Sequence, residues 1–112
     1  MQREVERALQ FRSAMLDLYD TWRSEINYAA GRFRQLITNR GDVGAARFLL
    51  GKSGVSTGFA RLAQAGRLEL TMEYLILRPE FGSLFTAEER GIARRRLTDH
   101  GMRRDQLPLE PC

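Results

Sequence analysis

Residues 58–81 read GFARLAQAGRLELTMEYLILRPEF, and this stretch decides which kind of fold the chain adopts. Part of it, LELTMEYLIL, mixes β-branched and aromatic residues as a strand does, but it lacks clean alternation and has no obvious pairing partner. We therefore predict helices here. Burial of each large apolar side chain contributes roughly 1.5–3 kcal/mol. The predicted core comprises Phe59, Leu62, Leu68, Leu70, Met72, Leu75, Ile76, Phe81, Leu84 and Phe85.

Helix-boundary signals divide this stretch into two helices. Ser56 is a good N-cap for a helix over residues 57–65, which Gly66 ends with a left-handed turn. The next helix is expected over residues 69–77, because the residue before Pro79 avoids the α region.

The first 26 residues carry a helical stripe of mostly apolar side chains, interrupted by Arg12, at alternating spacings of three and four residues. Its members are Val5, Ala8, Arg12, Met15, Tyr19, Trp22 and Ile26. The stripe predicts one long amphipathic helix from Gln2 to Ile26. Such a helix packs on its own domain or on a second copy. For the second case we expect a homodimer with Met15, Tyr19 and Trp22 in the interface.

Similar signals place the other helices. One is expected over residues 29–39 and ends at Gly41, and Asp42 is expected to cap another over residues 43–50. Thr86-Ala87-Glu88-Glu89 is a capping box that opens a last helix, which runs to Asp99 before Gly101. The prediction is an all-α, single compact domain of five or six helices over residues 1–101, followed by a tail over residues 102–112.

Composition indicates the cellular compartment of the protein and the charge of its partners. The chain of 112 residues has a net charge of +4, which comes from arginine because Lys52 is the only lysine. Either a GC-rich genome or acidic partners account for such a bias. The single cysteine, Cys112, cannot form an internal disulfide, and neither a signal sequence nor an apolar run of membrane-spanning length occurs. We expect a cytoplasmic protein without membrane partners.

The motifs that resemble catalytic sites are weak. Residues 46–53, ARFLLGKS, match a relaxed phosphate-loop pattern, but that loop must follow a strand, and Phe-Leu-Leu belongs in a core. His100 is the only histidine and stands where a helix end favours it, while Cys112 lies on the predicted tail. We therefore predict that the protein is not an enzyme and needs no cofactor or metal.

Two groups of residues are candidates for contact with a macromolecular partner. Residues 48–66, FLLGKSGVSTGFARLAQAG, have the outline of a helix-turn-helix, although the turn is long and the second helix carries one cation. The residues that would read bases are Thr57, Arg61 and Gln64, and those that would contact phosphates are Lys52, Ser53 and Ser56. The second group is cationic and comprises Arg90, Arg94, Arg95, Arg96, Arg103 and Arg104. These cations form either a solvated helix face or a contact for phosphate or an acidic protein.

The pattern GFxxL, GRLxLTxE, LFTxEE and a final arginine-rich ARxRL resembles a group of small helical proteins of bacteria and mobile elements. It spans roughly residues 28–101, although relatives carry an aromatic residue where Ala63 stands. The resemblance implies a fold unit and no reaction. Small helical proteins of this size also occur among phage-encoded inhibitors of host defence. We expect a non-catalytic helical protein that binds a partner, such as a nucleic-acid-associated or host-defence machine, with a helix-turn-helix-like DNA-binding protein as the alternative.

Overall fold

The computed structural model describes residues 2–108, with side chains from residue 4 onward, and the described part is all-α without strands. This confirms the predicted fold class. Six α-helices follow one another: α1 Gln2–Ile26, α2 Gly31–Arg40, α3 Asp42–Leu50, α4 Thr57–Gln64, α5 Met72–Ile76 and α6 Ala87–Asp99. Three 3-10 turns occur at Leu68–Leu70, Pro79–Leu84 and Arg104–Gln106.

The long helix α1 extends along the whole body of the protein. Its 25 residues correspond to about 37 Å, and the longest dimension of the described chain is 39 Å. It packs mainly on α3 and on the Pro79–Leu84 turn. Phe11 is fully buried there, with its ring 5.2 Å from that of Phe81 and 5.3 Å from that of Phe85, both edge-on. Arg12, which the predicted stripe included, is exposed.

The side chains expected at a dimer interface lie mostly inside the chain. Met15 and Trp22 are buried in the core, and the Trp22 indole N–H donates a 2.8 Å hydrogen bond to the Leu70 carbonyl. In the folded chain these two side chains therefore belong to its own core, and the homodimer interface stays a prediction. Tyr19 is half-buried. Exposed apolar side chains on α1 occur instead near its start, where Val5 is 60% and Leu9 is 61% exposed.

The predicted core forms as expected. Seven of its members are buried, namely Phe59, Leu62, Met72, Leu75, Ile76, Phe81 and Phe85. The other three, Leu68, Leu70 and Leu84, are half-buried and pack against it. Phe33 and Ile37 of α2, Ala45, Ala46 and Leu50 of α3, and Ala93 and Leu97 of α6 complete the same cluster. The chain therefore has one core to which every helix contributes.

Capping side chains begin three of the helices. The Ser56 hydroxyl accepts a hydrogen bond from the Phe59 N–H at the start of α4, and Thr71 does the same for Tyr74 at α5. The predicted capping box of α6 is present in full, with Thr86 and Glu89 bonded reciprocally. Each cap satisfies backbone N–H groups that lack a partner within the helix.

Three predicted boundaries differ from the structure. Gly41, at φ +80°, occupies the N-cap of α3, so Asp42 is the first helical residue and makes no cap hydrogen bond. Helix α2 begins at Gly31 rather than residue 29, and no side chain caps it. The helix expected over residues 69–77 is a 3-10 turn followed by α5, because the Thr71 cap interrupts it.

The described part of the predicted tail contacts the body of the protein. Met102 and Leu107 pack against the core on either side of the Arg104–Gln106 turn. Cys112 lies outside the described residues. None of the described helices combines the length and the apolar character that crossing a bilayer demands.

Candidate functional site

The net positive charge of this protein is concentrated in one part of the chain, because acidic residues are nearly absent there. Residues 26–68, which we call the basic segment, contain seven arginine or lysine residues and a single acidic residue, Asp42. The segment therefore carries +6, while the rest of the chain carries −2. It comprises α2, α3, the loop over residues 51–56, α4 and the Leu68 end of the next turn. Three adjacent helices thus present cations almost without neutralising partners of their own.

Aromatic rings support several of these cations. The guanidinium of Arg40 lies 4.1 Å and the ammonium of Lys52 lies 4.9 Å from the centre of the Phe48 ring. Arg61 lies 4.8 Å from the ring of Tyr28. A cation over a ring face is stabilised while its N–H donors stay available to acceptors at the ring's periphery. These cations are therefore held in place and still able to bind anions.

Two further cations of the basic segment pair with acids from outside it. Arg47 forms a 2.7 Å ion pair with Glu89 of α6, and Arg67 forms a 2.8 Å pair with Glu69. Partial burial of the Glu89 carboxyl acts to raise its pKa. Hydrogen bonds from the Thr86 N–H and from Arg47 outweigh it and hold the pKa of Glu89 below its usual range. The Arg47–Glu89 pair ties the basic segment to α6, whereas the Arg67–Glu69 pair is local.

A groove of about 540 Å³ opens within the basic segment, and we call it the basic groove. It is lined by α2, the end of α3, the loop that follows, the start of α4, and residues 71–73. The exposed lining residues include Arg32, Gln35 and Asn39 on α2 and Lys52 on the loop. The side of the groove that faces water is therefore polar and basic.

The interior of the basic groove is apolar. Trp22, Phe33 and Phe59 are buried lining residues, and Leu36 and Val55 are half-buried ones. Gly58 allows the start of α4 to approach this interior, because a Cβ there would lie 3.2 Å from the Tyr28 ring. The groove thus combines apolar surface inside with cations at its opening.

A buried ion pair joins the basic groove to α6. Glu73, a lining residue that is 3% exposed, accepts a 3.0 Å hydrogen bond from Arg96. The same guanidinium donates to the carbonyls of Leu49, Leu50 and Lys52 at 3.2, 3.3 and 2.8 Å. The Leu49 and Leu50 carbonyls end α3 and lack partners within the helix, and the Lys52 carbonyl belongs to the loop that follows. Arg96 therefore holds α3, α5 and the loop together.

Burial raises the pKa of the Glu73 carboxyl above its usual range, against the opposing hydrogen bonds from its own backbone N–H and from Arg96. His100 lies nearby at the end of α6, with Nδ1 2.7 Å from the Arg96 carbonyl. A carbonyl only accepts, so Nδ1 donates. The ring of His100 packs edge-on against Phe59 at 4.9 Å. Each of these polar groups is engaged in holding the fold.

The structure brings the predicted base-reading residues to one exposed face. Thr57, Arg61 and Gln64 are exposed and lie at successive turns of α4. Helix α3, however, packs mainly on α2, α1 and α6, whereas α4 packs mainly on the Leu68–Leu70 turn. In a helix-turn-helix the two helices form a packed unit. The outline seen in the sequence does not correspond to that arrangement.

The predicted C-terminal cations do not form one exposed group. The Arg90 guanidinium donates to the carbonyls of Gly82 and Phe85, Arg94 is half-buried, and Arg96 is buried. Arg95 and Arg104 are exposed, and Arg103 is exposed and pairs with Asp105 at 3.1 Å. Part of this group therefore builds the fold, and a smaller part faces water.

Within residues 2–108, no group of three or more His, Cys, Asp or Glu residues is arranged to hold a metal ion. Comparison with protein-family models, with curated proteins and with solved structures finds no significant match. The resemblance to small helical proteins of bacteria and mobile elements thus stays a prediction.

The basic segment is the candidate functional feature that the motifs did not indicate. Its signal is present in the sequence as the absence of acidic residues, apart from Asp42, between Glu25 and Glu69. A search for clustered arginines selects α6 as the binding surface instead. The arginines of α6 are close together, but acidic residues lie equally near them. Local net charge is the more informative quantity, because neighbouring acids neutralise a cluster.

Proposed function

We propose that this protein is a non-catalytic binding protein that engages an acidic macromolecular partner through its basic segment. The observation that carries the proposal is the charge of +6 on residues 26–68, within a chain whose remaining residues sum to −2. A surface with an excess of one sign of charge attracts partners of the other sign and raises their rate of association. A subunit of a nucleic-acid-associated or host-defence machine is the kind of partner we propose.

The experiment is a capture from the native host with immobilised protein, scored for protein and nucleic acid together. The informative variant removes three cations from α2 as Arg32→Gln, Arg34→Gln and Arg40→Gln. Because these residues are exposed, the fold should tolerate the change. We expect the variant to lose the partner that the wild-type protein captures, and the wild-type capture to weaken as salt screens the charges.

The matched control removes three exposed cations outside the basic segment as Arg12→Gln, Arg103→Gln and Arg104→Gln. It has the same net charge as the α2 variant, so a general charge effect would weaken both equally. Equal capture by both variants and the wild-type protein would refute the proposal. Turnover of a substrate that a single side-chain change abolishes would refute its non-catalytic part.

A second candidate is a protein that binds duplex DNA directly. The observation that favours it is the exposed row of Thr57, Arg61 and Gln64 on α4, inside the basic segment. This candidate predicts tight duplex binding with a steep salt dependence, and Arg61→Ala would relax sequence preference, whereas Arg95→Ala would weaken all sequences alike. Absence of duplex binding below micromolar concentration at about 0.1 M salt would exclude it.

A further inference from the structure

The apolar surface inside the basic groove is large enough to receive side chains from a partner. Its volume of about 540 Å³ lies within the range of roughly 300–1,000 Å³ that is common for ligand sites. Leu36, Leu49 and Val55 line it and are only half-buried, so they retain apolar surface that a partner would cover. Large apolar side chains are therefore the groups that fit this interior.

The charges at the opening of the groove select for an anionic partner. Arg32 and Lys52 are exposed lining residues, and both belong to the basic segment. The acidic lining residue is Glu73, which is buried and paired with Arg96. A segment that enters the groove thus meets cations at the surface and no exposed carboxylate on the lining residues.

The aromatic rings of the groove are poorly placed for nucleic acid. Binding of single strands relies on exposed ring faces on which bases stack. Here Trp22, Phe33 and Phe59 are buried, and cations already lie over the rings of Tyr28 and Phe48. A duplex presents phosphates at its surface and no projecting apolar group that fills the interior. Charge and shape together favour a protein segment.

We propose that the basic groove binds an acidic protein segment whose large apolar side chains enter the interior while its carboxylates pair with Arg32 and Lys52. This inference rests on the proposed function and specifies its partner. Apolar anchors in a groove with polar contacts at its edge are a recurrent mode of peptide recognition. The segment belongs to another protein rather than to a second copy of this chain, since the exposed Val5 and Leu9 stand in a stretch, residues 3–9, whose two arginines and two glutamates sum to zero charge.

The test is a selection of binders to the full chain from a random peptide library displayed on phage. Two variants probe the two halves of the proposal: Arg32→Gln removes a cation at the opening, and Leu36→Gln removes apolar lining. Each has a matched control outside the groove. Arg12→Gln makes the same change at an exposed arginine of α1, and Leu16→Gln does so at a half-buried leucine that packs on the same core.

We expect the selected peptides to be enriched in Asp and Glu together with Leu, Phe or Trp. We expect Arg32→Gln and Leu36→Gln each to weaken their binding by about tenfold, while the two controls bind as the wild-type protein does. Circular dichroism verifies that each variant is folded before binding is measured.

Several results would overturn this inference. These are the recovery of no peptide, peptides without acidic enrichment, or binding that is insensitive to Leu36→Gln. Tighter binding of an oligo-dT strand that Leu36→Gln abolishes would assign the groove to nucleic acid, and a dimer that Leu36→Gln dissociates would assign it to a second copy. If Arg32→Gln weakens peptide binding and Leu36→Gln does not, the basic segment remains the binding surface and only the groove proposal fails.

Discussion

The guanidinium of Arg96 on α6 donates a 3.0 Å hydrogen bond to the carboxylate of Glu73 on α5, and both side chains are buried. The two residues are 23 positions apart in the chain. Arg96 also binds the carbonyls that end α3. One side chain therefore connects three helices around the loop that borders the basic groove. Its removal should destabilise the packing of all three helices.

Arg96→Met should destabilise the fold strongly. It leaves Glu73 as an uncompensated buried charge and removes the donor to the α3 carbonyls, and loss of one partner of a buried pair costs about 3–5 kcal/mol. Urea unfolding followed by far-ultraviolet circular dichroism measures the change. Arg95→Met, the same substitution at the exposed neighbouring position, is the control and should change stability by less than about 0.5 kcal/mol. Similar losses in the two variants would contradict the structural role of Arg96.

Phe11→Ala should destabilise the protein by about 3–5 kcal/mol, because it leaves a cavity between Phe81 and Phe85. Val5→Ala on the same helix should have little effect, since Val5 is 60% exposed. Thermal unfolding of the two variants makes the comparison. If Val5→Ala costs as much as Phe11→Ala, then α1 buries a different face from the one described.

Two glycine substitutions should act in opposite directions. Gly66 has φ +71° after α4, so Gly66→Ala places a side chain in the left-handed region at a cost of about 1–2 kcal/mol. Gly91 lies inside α6, and an added Cβ would meet nothing within 4 Å. Gly91→Ala should therefore stabilise the protein by about 0.5–1 kcal/mol. The midpoint of urea unfolding shows for each variant whether stability rises or falls relative to the wild-type protein. A stabilising Gly66→Ala would contradict the left-handed turn at Gly66.

Glu89→Gln should destabilise the protein in a pH-dependent way. The pKa of Glu89 in the folded protein is below its usual range, so its carboxylate contributes fully above about pH 4.3, and the contribution is lost as the pH falls through the folded-state pKa. We expect a cost of about 0.5–1 kcal/mol at neutral pH, because glutamine can keep the hydrogen bond from the Thr86 N–H but loses the negative charge at the helix N-terminus and the ion pair with Arg47. This cost shrinks as the solution is acidified.

Urea unfolding at a series of pH values provides the measurement. Glu88→Gln is the control, because Glu88 is an exposed acid in the same first turn but lies outside the capping box. A difference between Glu89→Gln and the wild-type protein that stays constant with pH would show that the carboxylate charge is not what stabilises this cap.

Trp22→Glu should unfold the chain rather than dissociate a dimer. Trp22 is 4% exposed, and its indole N–H is bonded to the Leu70 carbonyl, so the variant would bury a carboxylate without a partner. Light scattering together with circular dichroism distinguishes a folded monomer from an unfolded chain. A folded, monomeric Trp22→Glu variant of a dimeric wild-type protein would restore Trp22 as an interface residue.

Local signals in the sequence predicted most of the helix ends. Ser56, Thr86 and Gly66 act within a few residues of themselves, through capping hydrogen bonds or a single backbone angle, so their effect is readable without the fold. The N-cap of α3 is off by one residue, because Gly41 and Asp42 are both acceptable N-caps and residue preference alone does not select between them.

The sequence by itself determined that the chain is all-α, that large apolar residues between positions 59 and 85 build much of the core, and that residues 26–68 carry net positive charge because acids are nearly absent there. Those properties depend on periodicity and composition along the chain. The tertiary structure alone decided that Arg96 is buried against Glu73, that Arg90 binds backbone carbonyls, and that α2 and the loop over residues 51–56 border one groove. Arg90 contacts carbonyls only a few residues before it, but the other two depend on residues that are distant in sequence. All three depend on how the helices and turns pack, and no local pattern encodes which arginine turns inward.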